Sequence, residues 1–329
     1  MEITVLNRSD PVDSMAQTVK QIYEEITYPG LEDKPNFHIV ARLKKYVSKK
    51  AYILEAGCGT GHHLLGVAMS YPGCEISGID FSAPSIEVAK ALFEKHGRTA
   101  TFHVGDYTLP MPFENRFDLI ILSGTIHHTP NPALSLKNVV NYLSDQGFVY
   151  IMVYGKKSHQ RRLEVKEMLH LLEPEGSTTR YAYYVDLLKR TKKSPLRSAL
   201  DLSLSDLIQW ARDATRILRN SLKGNQAFSR SKSMLKYRTV KYDRNYRDSF
   251  DIPIQHTYDT WKLKELLEEA GLEPVEFFTL GRNNPKLLPP SWVEAFNKLG
   301  CWEKQRIMEL LEPDSVSFSF IARKKGGPS

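Results

Sequence analysis

The residues whose types and spacing fit chemistry are Glu55, the glycines Gly57, Gly59 and Gly61, Asp80, and the pair His127 and His128. Alternating glycines let a chain turn tightly and bring bare backbone amides close to a ligand. The stretch YILEAGCGTGHH, from Tyr52 to His63, runs from strand-like residues through those glycines. A helical apolar pattern follows at Leu64, Leu65, Val67, Ala68 and Met69. This order aims a helix N-terminus at any negative charge the ligand carries. Asp80 lies 19 residues beyond Gly61, about where a ribose-binding carboxylate belongs in a Rossmann-like unit. A dinucleotide fingerprint asks for a third glycine at position 62, and this chain has His62 there. A carboxylate at Glu55 would repel a pyrophosphate but suits an ammonium. The ligand implied has an amino-acid end, a ribose and a base. The competing reading is a structural glycine turn in an unrelated α/β protein.

The elements that must position these groups alternate between strand and helix from 52 to 153, the pattern of a doubly wound parallel sheet. Strands are expected at 52–56, 75–80, 100–105, 117–122 and 147–153, with helices at 62–70, 84–96 and 132–143. Phe117 to Leu122 and Phe148 to Val153 are nearly continuous apolar runs, as strands covered on both faces require. Before the first core strand, helices are expected at 12–26 and 36–47, joined by a turn at Pro29 and Gly30. Tyr23 and Tyr28 stand where such helices either face a pocket or pack among themselves.

Residues 155–250 break the rhythm with candidate helices at 159–173, 180–191 and 199–221 and a polar stretch at 222–233. The α/β pattern resumes with a helix at 257–270 closed by Gly271, strand-like residues at 277–280, a helical stretch at 291–311 and a strand at 315–324. The expected architecture is therefore α/β, a Rossmann-like doubly wound sheet with a helical insertion between its fifth and sixth strands. Four segments are expected: an N-terminal helical cover at 1–50, a core at 51–154, a basic helical insertion at 155–255 and completion of the sheet at 256–329.

E-x-G-x-G-x-G followed by G-I-D resembles the first two motifs of class I S-adenosylmethionine (SAM) dependent methyltransferases. The resemblance covers about 50–155 well, 256–324 more loosely and the insertion hardly at all. It implies SAM as cofactor and S-adenosylhomocysteine as product. It also implies that Glu55 holds the methionine end and that Gly57, Cys58 and Gly59 approach that end through backbone atoms. Asp80 would bind both ribose hydroxyls, and a carboxylate accepting two such bonds is a charge-assisted contact. Phe81 would neighbour the adenine, Asp106 would accept its amino group and Tyr107 would lie beside it. The alternative for Asp106 is a loop Asp capping the next turn. Ser123, Gly124 and Thr125 would line the methyl region. His127 or His128 would take a proton from the acceptor, or would anchor the loop. From 243–258, Asp251, His256 and Tyr258 fit capping and loop anchoring better than catalysis.

Absences narrow the chemistry. No Asn- or Asp-Pro-Pro-Tyr follows the fourth strand, which argues against planar amide or exocyclic base amine acceptors. No Pro-Cys or Thr-Cys nucleophile appears, so carbon-5 cytosine chemistry is not expected. Three cysteines, Cys58, Cys74 and Cys301, have neither metal-type spacing nor a disulfide framework, and no metal site is expected. With 41% hydrophobic and 25% charged residues, 329 residues can bury a full core. No apolar run reaches the roughly 18 residues that span a bilayer, and MEITVLNRSD lacks a signal-peptide pattern. A reducing cytoplasm is the expected setting. The net charge of +7 is uneven: between Lys156 and Asp248, 22 Lys and Arg stand against 10 Asp and Glu. That asymmetry suits an acidic partner, although a solvated helical surface also explains it.

The function expected is methyl transfer to an oxygen or nitrogen of a small, possibly acidic molecule, with the basic insertion as a lid. The alternatives are an RNA or protein methyltransferase that uses the insertion to hold the polymer, and a non-catalytic SAM-binding module. Nucleic-acid binding would weaken steeply with salt, and the insertion carries no recognisable RNA-binding motif.

Overall fold

The computed structural model describes residues 4–5, 12–29, 33–174, 246–278, 288–311 and 317–326. The expected helices at 180–191 and 199–221 and the stretch at 222–233 lie outside the described residues. Two compact units are present: Met1–His159 with Pro253–Ser329, and Gln160–Ile252.

The first unit is built on a seven-stranded sheet. Its strands are β2 (Tyr52–Ala56), β3 (Glu75–Asp80), β4 (Thr101–Val104), β5 (Phe117–Ser123), β6 (Leu143–Tyr154), β8 (Leu272–Phe277) and β9 (Ser317–Lys324). They lie in the order β4-β3-β2-β5-β6-β9-β8, and β9 runs antiparallel to both of its neighbours while the other pairs are parallel. Two short strands, β1 (Thr4–Val5) and β7 (Ile254–Gln255), pair separately. Helices α3 (His62–Ser70), α4 (Ala83–Lys95) and α5 (Pro132–Val140) connect the parallel strands. The strand order reverses between β2 and β5, and open α/β sheets bind ligands at the carboxyl ends of strands beside such a switch point.

Alternation along the strands feeds two cores, one on each face of the sheet. On β5, Ile120 and Leu122 join Leu54, Ile151 and Phe320, whereas Leu119 and Ile121 join Ile53, Tyr150 and Ile321. The helix α1 (Val12–Ile26) buries the stripe Met15, Val19, Ile22 and Ile26, the spacing of one helical face. Helix starts follow their caps: Ser82 Oγ accepts Ser85 N–H at 3.3 Å and Asn131 Oδ1 accepts Leu134 N–H at 3.0 Å. The helix α7 (Thr260–Glu269) begins where Asp259 Oδ1 accepts the amides of Trp261 and Lys262, both at 3.0 Å.

Several boundaries differ from expectation, each for a local reason. The helix expected at 36–47 shrinks to α2 (Val40–Leu43). Asn36 donates its amide to His62 O and its side chain accepts His38 N–H, so the start of the segment is spent on other bonds. The strand expected at 277–280 begins at Leu272, directly after the Gly271 turn, where pairing with Lys324 starts. The stretch 291–311 breaks at Leu299 and Gly300 into α8 (Val293–Lys298) and α9 (Cys301–Leu311). Glu309 of α9 accepts both the amide and the hydroxyl of Thr260, fixing the start of α7.

In the second unit, Lys166 Nζ, buried, donates to the Ile252 carbonyl, and Arg247 stands 3.5 Å from Asp251. Lys166 lies on α6 (Lys156–Leu172). Among the described residues, no helix is long and apolar enough to cross a membrane.

Candidate functional site

The glycine turn closes against the tip of β3. Gly57 and Cys58 both donate their amides to Ile79 O, at 2.8 and 3.1 Å, and Gly59 N–H donates to Asp80 Oδ2 at 2.8 Å. Gly57 and Gly59 have φ of 76° and 50°, a region L side chains rarely adopt. There is also no room for a side chain. A Cβ on Gly57 would stand 2.5 Å from Thr125 Cγ2, and one on Gly59 would stand 2.4 Å from Tyr28 O. Cys58 turns its side chain into the core under Gly78, so only its backbone faces the turn's outer side, and burial pushes its thiol well up.

Asp80 ends β3 with 8% of its surface exposed. Its Oδ1 accepts Ser82 N–H at 2.9 Å, while Oδ2 holds Gly59. Burial raises its carboxyl to about 6, against the pull of those two amides. A carboxylate has about four lone-pair directions, so two remain for ligand hydroxyls. Tyr23 of α1 leans over this strand end, with its ring 6.0 Å from Phe81 and 6.1 Å from Tyr28, and Ser82 Oγ donates to Tyr23 O.

Glu55, at the end of β2, is 2% exposed. Its Oε2 is buried and has no hydrogen-bond partner among the described residues, and its Oε1 lies 3.6 Å from His63 Nδ1. A buried carboxylate oxygen left without a partner is costly, so the site wants a cation there. Asp106 is exposed and its Oδ1 accepts Thr108 N–H at 2.8 Å, which is the capping bond of the alternative reading. Tyr107 differs from expectation. Its ring packs inward in the core, and burial pushes its hydroxyl's pKa up against the opposing pull of a hydrogen bond with Thr125.

After Ser123 the chain makes a short 3-10 turn, Ile126–His128, that buries both histidines. His127 is fully buried, its ring 3.9 Å from that of Tyr154 and 4.3 Å from that of His128. On the other side Tyr154 stacks on His159 at 4.0 Å. His128 Nδ1 donates to Ile254 O at 2.9 Å, and its ring lies 6.3 Å from Tyr23. His256 donates its amide to His127 O and Nε2–H to Thr129 O; burial lowers its pKa to about 4, so it is neutral. That is the anchoring role expected of it. Tyr258 is buried, and its hydroxyl has no hydrogen-bond partner among the described residues.

The fold thus brings Glu55, the glycine turn, Asp80, Phe81, Ser123, His127 and His128 to the carboxyl ends of β2, β3 and β5. Sequence reading did not single out His63 or His159. Both are imidazoles in the first turn of a helix that follows a sheet strand, but nothing in their spacing marks what they touch. Among the described residues, no three His, Cys, Asp or Glu side chains gather to hold a metal ion.

These features fit SAM. The orphaned Glu55 oxygen suits its ammonium, the side-chain-free turn admits its backbone-close approach, and Asp80 suits its ribose. A family model described as a methyltransferase domain matches residues 47–198. An uncharacterized protein of Synechococcus sp. is 25% identical over 98% of this chain and 76% of its own length. A malonyl-[acyl-carrier protein] O-methyltransferase of Bacillus cytotoxicus is 29% identical over 40% of this chain and 46% of its own length. The chain thus spans about half the length of that relative. Two solved structures of PKMT2 from Rickettsia typhi cover 95% and 94% of this chain, with TM-scores of 0.60 and 0.56 at 14% identity, over 52% and 53% of their own chains. The second is a complex with AdoHcy, that is, S-adenosylhomocysteine. This sheet order, this turn and the methyltransferase-domain match over 47–198 make the chain similar to the class I SAM-dependent methyltransferases and support SAM as its cofactor.

Proposed function

We propose that this protein transfers a methyl group to an oxygen or nitrogen of a small, acidic molecule. The observation that carries the reading is the wall of rings beside the cofactor residues: Phe81, Tyr23, His128, His127 and Tyr154 follow one another from β3 to β6. A wall of buried and half-buried rings suits a small acceptor held out of water more than a polymer lying along an open surface. The relative that acts on malonyl-[acyl-carrier protein] supports an acidic acceptor, as does the basic character of 156–248.

When bound, SAM supplies a methyl group already activated on a sulfonium. The protein's part is then positioning, worth roughly 7–11 kcal/mol in favourable cases, and handling the acceptor's proton. Glu55, Gly57, Cys58 and Gly59 would position the methionine end, Asp80 the ribose, and Phe81, Asp106 and the Tyr107 backbone the base, with Ser123 lining the methyl region. Of the two histidines, His128 fits proton acceptance better. Its bond to Ile254 O fixes the proton on Nδ1 and leaves the lone pair on Nε2, and its ring lies on the Tyr23 side. A carboxylate acceptor would need no base. The thiols Cys58, Cys74 and Cys301 are free, which fits a reducing cytoplasm.

The test is methyl transfer from radiolabelled SAM to three pools offered to the full chain: small organic acids free and carrier-bound, total RNA, and total protein. Label in the acid pool, insensitive to salt, is the expected outcome. Label in RNA that falls steeply with salt, or in protein, would replace this reading with polymer methylation. AdoHcy binding with no label in any pool would favour a non-catalytic module.

A further inference from the structure

Glu55 has an imidazole neighbour that the cofactor reading leaves unused. His63 sits in the first turn of α3 with Nδ1 3.6 Å from Glu55 Oε1, and its side chain is 24% exposed. The second Glu55 oxygen is buried and without a partner among the described residues. The first amides of α3 precede its first internal bond, from Leu65 N–H to Gly61 O, and Gly61 offers no side-chain cap. A carboxylate is favoured beside such a helix start. Other charges face the same place. Burial, then the charges of Arg42 and His63, lower the pKa of His38. Arg42 is engaged by the Tyr150 hydroxyl and Ser319 Oγ, each at 2.9 Å. His62 adjoins His63 on α3 and bonds Thr60 Oγ1, and Asp80 lies across the glycine turn. Of these groups, His63 is the one within ion-pair distance of Glu55, and it lies at the helix start.

We propose that His63 pairs with the carboxylate of the cofactor's amino-acid end while Glu55 pairs with its ammonium. The proposal rests on the cofactor reading above. The ammonium and carboxylate of an amino acid are carried on one carbon, so a zwitterion needs an anion and a cation side by side. Glu55 from β2 and His63 from α3 supply that pair, and the four charges then alternate in sign. His63 is in this account a specificity residue. It lets the site distinguish an intact cofactor from nucleosides that share the ribose and base but lack the amino-acid end. The rival account makes His63 a counter-ion that neutralises Glu55 until ligand arrives, and it predicts the opposite response to substitution.

Calorimetry on the full chain, with AdoHcy and 5′-methylthioadenosine as probes, separates them. His63→Ala should weaken AdoHcy about tenfold, the scale of one bond to a charged group at a partly exposed site. 5′-Methylthioadenosine should bind wild type and variant alike, and His63→Lys should recover most of the AdoHcy affinity. If His63→Ala does not fold, His63→Gln keeps the volume without the charge and should show the same selective loss. Unchanged or tighter AdoHcy binding in the neutral variants would overturn the proposal in favour of the counter-ion. Equal weakening of both ligands would make His63 a structural support and overturn it too. Wild-type protein that binds 5′-methylthioadenosine as tightly as AdoHcy would show the amino-acid end is not read. Binding of neither ligand by wild type would overturn the cofactor reading itself.

Discussion

If Asp80 holds the ribose as proposed, it joins protonation to ligand binding. Its carboxyl is raised to about 6 by burial, above the ordinary carboxylate range. A raised acid favours the folded state while it is protonated. That contribution is full below about pH 4 and lost as pH rises through about 6, on the order of 3 kcal/mol. In urea melts without ligand, wild type should therefore lose stability across this window relative to Asp80→Asn, whose curve should be flat there. Hydroxyl donors favour the ionised form, so AdoHcy should bind wild type more tightly at pH 7 than at pH 5. Asp80→Ala should weaken AdoHcy by roughly 1.5–3 kcal/mol at pH 7, read by calorimetry. For the proton, His128→Asn should leave AdoHcy affinity within a few-fold and lower turnover by about 10²-fold or more, provided the acceptor is not already an anion. The placement of Glu55 and Asp80 at strand ends beside the glycine turn was legible in the sequence, because apolar strand runs break there. Tyr107 turned inward and His63 turned toward Glu55, and neither direction follows from spacing, since each is decided by a turn's dihedral angles.

At the scale of elements, the segment that follows α1 is tied to the glycine turn. Tyr28 O accepts Thr60 N–H at 3.1 Å and sits where a Gly59 side chain would go. Gly59→Ala should thus displace the segment around Tyr28 as well as strain the turn. A loss of about 1–3 kcal/mol in stability and at least about tenfold in AdoHcy affinity is expected, read by thermal melts and calorimetry. If the variant matched wild type in both, the close approach of Tyr28 would carry no weight. Strands β2, β3 and β5 were legible because their apolar runs end at sharp turn residues. The start of β8 was not, because LEPVEF interleaves charge and proline and becomes a strand only through pairing with β9. The 36–47 segment was misjudged for a related reason: its apolar spacing is helical, but Asn36 commits its backbone and side chain elsewhere.

At the scale of the whole molecule, strand order points to the candidate site, since β2 and β5 lie side by side where the winding reverses. The proposed acceptor wall was harder to read because it draws on positions 23, 81, 127, 128 and 154, which meet only through tertiary packing. Ligand binding to the folded chain should raise its melting temperature. AdoHcy at about 100 times its dissociation constant should add about 2.7 kcal/mol, a shift of several degrees in a thermal scan, and no shift would contradict the site. The arrangement at the ends of β2 and β3 has a metabolic corollary. On the cofactor reading proposed above, Glu55, the glycine turn and Asp80 would address the ammonium, the chain and the ribose, parts that donor and spent donor share. Affinity placed there does not distinguish the two. Product inhibition by AdoHcy should then be strong, with an inhibition constant near the KM for SAM. Turnover would follow the cell's ratio of donor to spent donor and would depend on how quickly other enzymes clear the latter.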